Sequence, residues 1–219
     1  GVSTVLRIDV WGDVVCPFCY LGKRQLELAV ERFDPTVTIE IHHRAFELDP
    51  NSPDNYSQTL PELLSKKYGM TVEQAETQHR RMEKAASDLG MTWDMHRCLP
   101  SNTFHAHRLI ALAKTQGLEE AMTERLFRSY FSEGGRPADQ TLLANLANEV
   151  GVSGAEALLE GDQFAEQVRE DEAIAQELGI TGVPSILIDG RFMVMGAQGA
   201  DEILSVMERA WARRMKEQA

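Results

Sequence analysis

Cysteine is scarce in this chain, with three among 219 residues. A secreted fold stapled by disulfides carries more of them, paired and dispersed, so stability here has to come from an apolar core. Basic residues are also in short supply: 22 Lys and Arg stand against 34 Asp and Glu, a formal net charge of −12. Phosphate backbones are held by basic surfaces, so nucleic acid is excluded as an expected partner and the excess charge reads as a solvated acidic coat. No run of about 18 apolar residues occurs, and no membrane-spanning helix is expected. Repeats and low-complexity tracts are missing as well. The opening Gly1-Val2-Ser3-Thr4-Val5 has no charged-then-apolar leader, which makes the cytoplasm the expected compartment; its initial Gly leaves the native start open.

What is present suits a soluble globular protein, at 43% hydrophobic and 26% charged residues. The length allows one large domain or a domain with a substantial insertion. Val5 to Trp11 alternates, with Leu6, Ile8 and Val10 on one side and Arg7, Asp9 and Trp11 on the other, as a half-buried strand does. Helical spacing starts at Cys16 and runs to the stop at Asp34-Pro35, and β-branched residues then mark a strand over Thr36–His43. That is a βαβ unit, expected to be a right-handed parallel crossover.

From Glu47 to Asp54 the chain is rich in turn formers, and from about Thr59 to Val150 it reads as four or five helices. Thr71-Val72-Glu73-Gln74 fits a capping box, and Ser101 or Asp139 could cap other helices. Another helix spans Gln163 to Leu178, the apolar Ile186-Leu187-Ile188 meets a two-residue hairpin turn at Asp189-Gly190, Arg191–Met195 returns, and a helix closes the chain from about Ala200 to Lys216. The order predicts an α/β fold, β-α-β … α-β-β-α, interrupted by an all-helical insertion: residues 1–52 and 152–219 form one discontinuous domain and 53–151 the insert.

The chemistry is concentrated in Cys16-Pro17-Phe18-Cys19. Two thiols at this spacing can close into a disulfide within one helical turn, and the free amides of a helix N-terminus favour the thiolate of the first. Cys16 is therefore the expected nucleophile, partly exposed, and Cys19 the more buried resolving thiol. Pro17 suits the first helical turn, where no amide hydrogen is needed. The bland alternative is half of a structural zinc site. It lacks a second pair: Cys98 stands alone, and His42/His43 and His105/His107 do not have ligand spacing relative to another cysteine. No metal is expected.

Together, Asp13–Gly22 with its Cys-X-X-Cys, Arg44–Pro50, Ser101–Leu109, Gly179–Pro184 and Gly196-Ala197-Gln198 resemble the DsbA family of thioredoxin-fold proteins, and within it the FrnE-like branch related to 2-hydroxychromene-2-carboxylate isomerase and kappa-class glutathione transferases. Two features depart from that pattern. Phe18 stands where many relatives carry Trp, and no cysteine follows Cys98, so no second redox pair is available.

The resemblance implies a thioredoxin-like fold and a thiol–disulfide oxidoreductase with Cys16 and Cys19 as its catalytic pair. It implies a cis Val183–Pro184 bond beside the sulfurs, with Val183 main chain and Pro184 docking an extended substrate, and it favours Asn102 and His107 facing the sulfurs. Phe18 and Tyr20 are expected as an apolar rim; Phe46 and Leu48 serve equally as a wall over the site or as core. Asp9 and Asp13 are candidate proton shuttles, and Asp13 is alternatively a cap on a backbone amide. Cys98 is expected to be an unpaired packing or surface residue. No cofactor beyond the Cys16–Cys19 disulfide is implied; protein, peptide or small thiols are the candidate partners, a low-molecular-weight thiol a candidate co-substrate, and monomer and homodimer both stay open. A thiol-dependent transferase or isomerase and a non-enzymatic, chaperone-like protein are the rival readings.

Overall fold

The computed structural model describes residues 3–219; Gly1 and Val2, which opened the leader argument, lie outside it. The chain divides into two compact units, one made of the residues up to Phe46 together with Asp171–Ala219, the other of Glu47–Glu170. Among the described residues no helix is long and apolar enough to cross a membrane.

In the first unit, strand β1 (Val5–Gly12) leads into helix α1 (Pro17–Arg32), which returns to strand β2 (Thr38–Ala45). β2 starts two residues later than the pattern suggests, because the Asp34 carboxylate accepts from both the amide (2.9 Å) and the hydroxyl (2.7 Å) of Thr36 and holds that segment in a turn. β2 lies parallel to β1, in register from Val5↔Thr38 to Gly12↔Ala45. Strands β3 (Ser185–Ile188) and β4 (Phe192–Met195) complete a sheet of order β2-β1-β3-β4, with β3 antiparallel to both its neighbours. Three residues, 189–191, join them where the pattern expected two, with Arg191 outside the return strand; Asp189 and Gly190 take φ of 56° and 68°, the left-handed pair of a tight turn.

β1 is a central strand, paired along both edges, and residues on each of its faces are buried in a separate cluster. Leu6 and Ile8 pack with Leu26 and Ala29 of α1, Ile186, Ile188, and Ile203 and Met207 of the final helix, α9 (Ala200–Gln218). Trp11, read from the alternation as the polar side, instead nucleates a second cluster with Ala175, Ile180, Phe46, Val183 and Leu187. Its indole N–H donates to the carbonyl of Asp171 (3.0 Å).

The second unit is helical: α2 (Leu60–Tyr68), α3 (Val72–Asp88), a 3-10 turn at Met95–Arg97, α4 (Phe104–Lys114), α5 (Glu119–Glu133), α6 (Gln140–Val150) and α7 (Ala155–Glu160). α8 (Ala165–Glu177) crosses the border at residue 171. Capping boxes open α2 at Thr59 and α3 at Thr71, and Asp139 caps α6. Ser101 caps nothing; Asn102 does that work for α4, its Oδ1 accepting the Phe104 amide at 2.9 Å. Trp93 stacks on Phe131 at 4.6 Å and Tyr130 meets Phe131 edge-on at 4.8 Å, giving this unit an aromatic core of its own. The helical unit extends past the residues 53–151 expected from composition. The buried Arg108 donates to the carbonyls of Leu158, Gly161 (both 2.8 Å) and Gln163 (2.8 Å), which ties α7 and the turn after it to α4.

Candidate active site

The site begins where β1 runs out. Gly12 ends the strand, the Asp13 carbonyl accepts the Cys16 amide at 3.1 Å, and Cys16 becomes the N-cap of α1 with φ −91° and ψ 116°. Pro17 is the first helical residue, where its missing N–H costs no hydrogen bond. Cys19 follows within the first turn, its amide donating to the Cys16 carbonyl at 3.1 Å. Gly12 leaves room for it: a β-carbon there would already touch Cys19 Sγ at 3.4 Å. Both cysteines are free thiols, so the structure represents the reduced pair.

Exposure does not separate the two sulfurs as expected. Cys16 is only 4% exposed, against 3% for Cys19, because the Val183 carbonyl lies 3.8 Å from its Sγ and accepts from it. Hydrogen bonding separates them instead. The Cys19 thiol points its proton at Cys16, which outweighs the burial that pushes Cys16 up, and the amides of Cys19 and Phe18 add to it; the Cys16 thiol is held below its ordinary value. Burial pushes the Cys19 thiol well above its own, and the neighbouring Cys16 pushes it further. The arrangement favours the thiolate at one sulfur and the protonated thiol at the other.

The Val183–Pro184 peptide is cis. Its surroundings fix the turn: the Gly196 amide donates to the Pro184 carbonyl at 2.7 Å, the Ser185 hydroxyl to the Gly182 carbonyl at 2.9 Å, and the Pro184 ring packs on Gly22 of α1. Phe18 is 47% exposed beside the thiols and Met195, paired with Ser185 in the sheet, is 56% exposed. Tyr20 is not part of that rim; helical spacing turns it inward, where it is buried. Phe46 joins the cluster around Trp11 that also holds Val183. Leu48, in the other unit, is exposed.

Asn102 and His107 belong to the helical unit. The Asn102 amide group donates to the carbonyls of Pro50 (3.2 Å) and Ser52 (3.3 Å) while its oxygen caps α4, so its polar atoms are committed to main chain. His107 is buried within α4. Cys98 is buried, donates to the Tyr130 carbonyl at 3.4 Å, and is pushed up to about 12 by burial. It is inert packing.

The two carboxylates differ. Asp9 is buried on β1 but bonded to Arg7 (3.0 and 3.1 Å) and Arg44 (2.9 Å), and Arg44 bridges on to Asp171 at 3.0 Å. Burial pushes Asp9 up, the two guanidinium groups outweigh it, and the net direction is down. Asp9 is thus one corner of an ion-pair network. Asp13 is buried next to the cysteines, its Oδ1 accepting the Val14 amide at 2.9 Å, the backbone cap that the sequence allowed. Asp171 went unnoticed in the sequence, where nothing distinguishes it from Glu170 and Glu172, yet its carboxylate also accepts the Ala45 amide at the end of β2 (3.0 Å). Among the described residues no cluster of three or more His, Cys, Asp or Glu has the arrangement of a metal site.

A family model described as DSBA-like thioredoxin domain matches residues 7–208. The chain is 30% identical over 216 residues to the uncharacterised protein YwbO of Bacillus subtilis (strain 168), covering 96% of this chain and 98% of YwbO. The crystal structure of a probable DsbA oxidoreductase, SCO1869 from Streptomyces coelicolor, superposes with a TM-score of 0.90 at 34% identity over 94% of this chain and 90% of that one. A 2-hydroxychromene-2-carboxylate isomerase shares the fold at a TM-score of 0.70 and 17% identity, over 97% of this chain and 99% of its own.

Proposed function

Since the chain belongs to the DsbA-like thioredoxin-domain family, we propose that it is a thiol–disulfide oxidoreductase working through Cys16 and Cys19. The observation that carries this reading is the opposed acidity of two adjacent thiols at one helix N-terminus, Cys16 down and Cys19 up. In the reducing direction, the Cys16 thiolate attacks a substrate disulfide, forms a mixed disulfide and releases one substrate thiolate, which takes a proton. Cys19 then loses its proton and attacks Cys16, releasing the second substrate thiol and leaving the Cys16–Cys19 disulfide. Two electrons pass from the protein to the substrate, and the reverse sequence oxidises a dithiol.

The main chain of Val183 and the ring of Pro184 border Cys16, an arrangement suited to pairing with an extended segment as an added strand does. Phe18 is an exposed apolar contact for such a segment, and Phe46 shares a cluster with Val183. The reading needs no part for Asn102 or His107, and no metal or nucleotide. Its partners are protein or peptide disulfides, with a small thiol such as glutathione closing the cycle, and a reducing compartment such as the cytoplasm suits a protein with so few cysteines.

The test is disulfide turnover on a model protein disulfide with glutathione as electron source. Wild type turns over, Cys16→Ser does not, and Cys19→Ser accumulates a mixed disulfide at Cys16. Turnover that survives in Cys16→Ser would overturn the assignment. Conjugation or isomerisation of an electrophile with glutathione, undiminished in Cys19→Ser, would favour the transferase and isomerase relatives instead.

A further inference from the structure

β2 is one edge of the sheet: β1 pairs with it on one side and, among the described residues, no strand pairs with the other. Natural edges are commonly blunted by proline, a bulge or a very short strand. β2 has none of these, running eight residues in unbroken register with β1. Its main chain alternates in direction. The Thr38 amide donates to the Thr4 carbonyl at 2.7 Å and the Phe46 amide to the Gly12 carbonyl at 3.2 Å, so even-numbered residues turn toward β1 and odd-numbered ones outward. Ala45 fits this phase, its outward amide taken by the Asp171 carboxylate at 3.0 Å. Ile41 therefore turns its N–H and C=O to the open side, and its side chain is exposed.

The side chains around Ile41 complement their own kind. Glu40 and His42 flank it on one face of the strand, with a Glu40 carboxylate oxygen 2.7 Å from His42 Nε2. β2 holds a single acidic residue against Arg44 and two histidines, in a chain whose net charge of −12 sets most of its surface against a second copy. We propose that the β2 edge pairs antiparallel with β2 of a second copy about a two-fold axis at Ile41, joining two four-stranded sheets into one. The N–H and C=O of each Ile41 bond to those of the other, and the two exposed side chains cover one another. Each Glu40 then lies opposite His42 of the second copy. These are the closer, non-hydrogen-bonded positions of an antiparallel ladder, where cross-strand side chains interact best.

Other registers that align the main-chain groups fit worse. Setting Ile39 opposite Ile41 brings Glu40 against Glu40. Setting Ile41 opposite His43 brings His42 against His42 and offers Glu40 only Arg44, whose guanidinium is already held by Asp9 and Asp171. The Ile41-centred contact is isologous, so it closes at two copies. It does not depend on the chemistry of Cys16 and Cys19.

Sedimentation velocity of the full chain over a concentration series tests this. One strand pair is a small interface, so wild type is expected to show a monomer–dimer equilibrium. Ile41→Lys sets two like charges face to face on the axis and should abolish the dimer while keeping the helix content of wild type. Should that variant fold poorly, the flanking pair carries the test. Glu40→His and His42→Glu each set like side chains opposite one another at both flanking positions and are expected to weaken the dimer about tenfold. Combining the two substitutions restores an opposite pair at each position and should regain wild-type association. A wild type that stays monomeric at every concentration, a dimer indifferent to these single substitutions, or single losses that the combination fails to rescue would overturn the proposal.

Discussion

Gly22 of α1 and the ring of Pro184 are in close contact: a β-carbon on Gly22 would sit 3.0 Å from Pro184 Cγ and 3.6 Å from its Cβ. Two effects oppose each other in Gly22→Ala. Ala is favoured over Gly inside a helix by about 0.8–1 kcal/mol, whereas overpacking costs about 1–3 kcal/mol, and the atom met here belongs to a stiff ring. The net expectation is a loss of about 1 kcal/mol in urea unfolding and a several-fold slower disulfide exchange, because Pro184 carries the Val183 carbonyl that borders Cys16. A variant that gains stability and exchanges at the wild-type rate would show that the ring yields freely.

Alkylation of the reduced protein should sort its three thiols by environment. Cys16, held down by the Cys19 thiol and the helix-end amides, is expected to react with a midpoint below the ordinary 9.0. Cys19 and Cys98, both pushed up chiefly by burial, should stay unmodified through that range. The linkage follows the same sign. A lowered thiol contributes stability to the reduced protein that is present above its ordinary value and is lost as pH falls through the lowered one. Relative to the oxidised protein, the reduced protein should therefore gain stability as pH rises through the Cys16 titration. Site-resolved mass measurement across pH 5–10 checks the order, and equal labelling of Cys16 and Cys19 would contradict it.

The fold was legible where the signal is local. The alternation of β1, the Thr71 capping box, the Asp189-Gly190 turn and the Cys-Pro-Phe-Cys helix start each depend on residues a few positions apart, and each is found where the pattern puts it. What escaped depends on residues far apart in the chain. Trp11 reads as the polar side of a strand until Ala175 and Ile180 cover it, and Cys16 reads as partly exposed until Val183 closes on it from 167 positions away. The border of the helical unit was missed for the same reason. The pattern assigns residues 155–163 to the discontinuous domain, whereas Arg108, more than 45 positions earlier, bonds to their carbonyls and ties them to α4.

Phe18 offers a way to tell a peptide partner from a small thiol. With 47% of its surface exposed it contributes little to the core, so Phe18→Ser should change stability by no more than about 0.5 kcal/mol. An apolar contact of that size lost from a peptide complex is worth about 1–2 kcal/mol, which predicts a KM for a peptide disulfide raised about 5- to 30-fold with kcat nearly unchanged. Exchange with glutathione, too small to span the rim, should be unaffected. Equal losses with both substrates would place Phe18 in the chemistry of the thiols and not in docking.

Arg44 joins Asp9 on β1 to Asp171 at 2.9 and 3.0 Å, and so pins the C-terminal ends of two parallel strands to the segment that re-enters the first unit. Arg44→Met keeps the aliphatic stem and removes the charge. Losing one member of a buried pair costs about 3–5 kcal/mol; Asp9 retains Arg7, although that partner is half-exposed, and Asp171 retains the Ala45 amide. A loss of about 2–4 kcal/mol is expected, or roughly 5–15 °C in Tm at this chain length. The pH dependence identifies the cause. In the intact network Asp9 lies below its ordinary 3.8, so its contribution is complete above that value and disappears as pH falls through the lowered one. Without Arg44, burial gains the upper hand and Asp9 moves up, so in the variant Asp9 no longer withdraws stability in acid and, once above its ordinary value, returns some as pH falls, while wild type loses its share. Melting curves from pH 7 to pH 2.5 test this: the gap between the two proteins should narrow in acid as Asp9 protonates in both, and a gap that stays constant to the acid limit would show that Arg44 acts by packing alone.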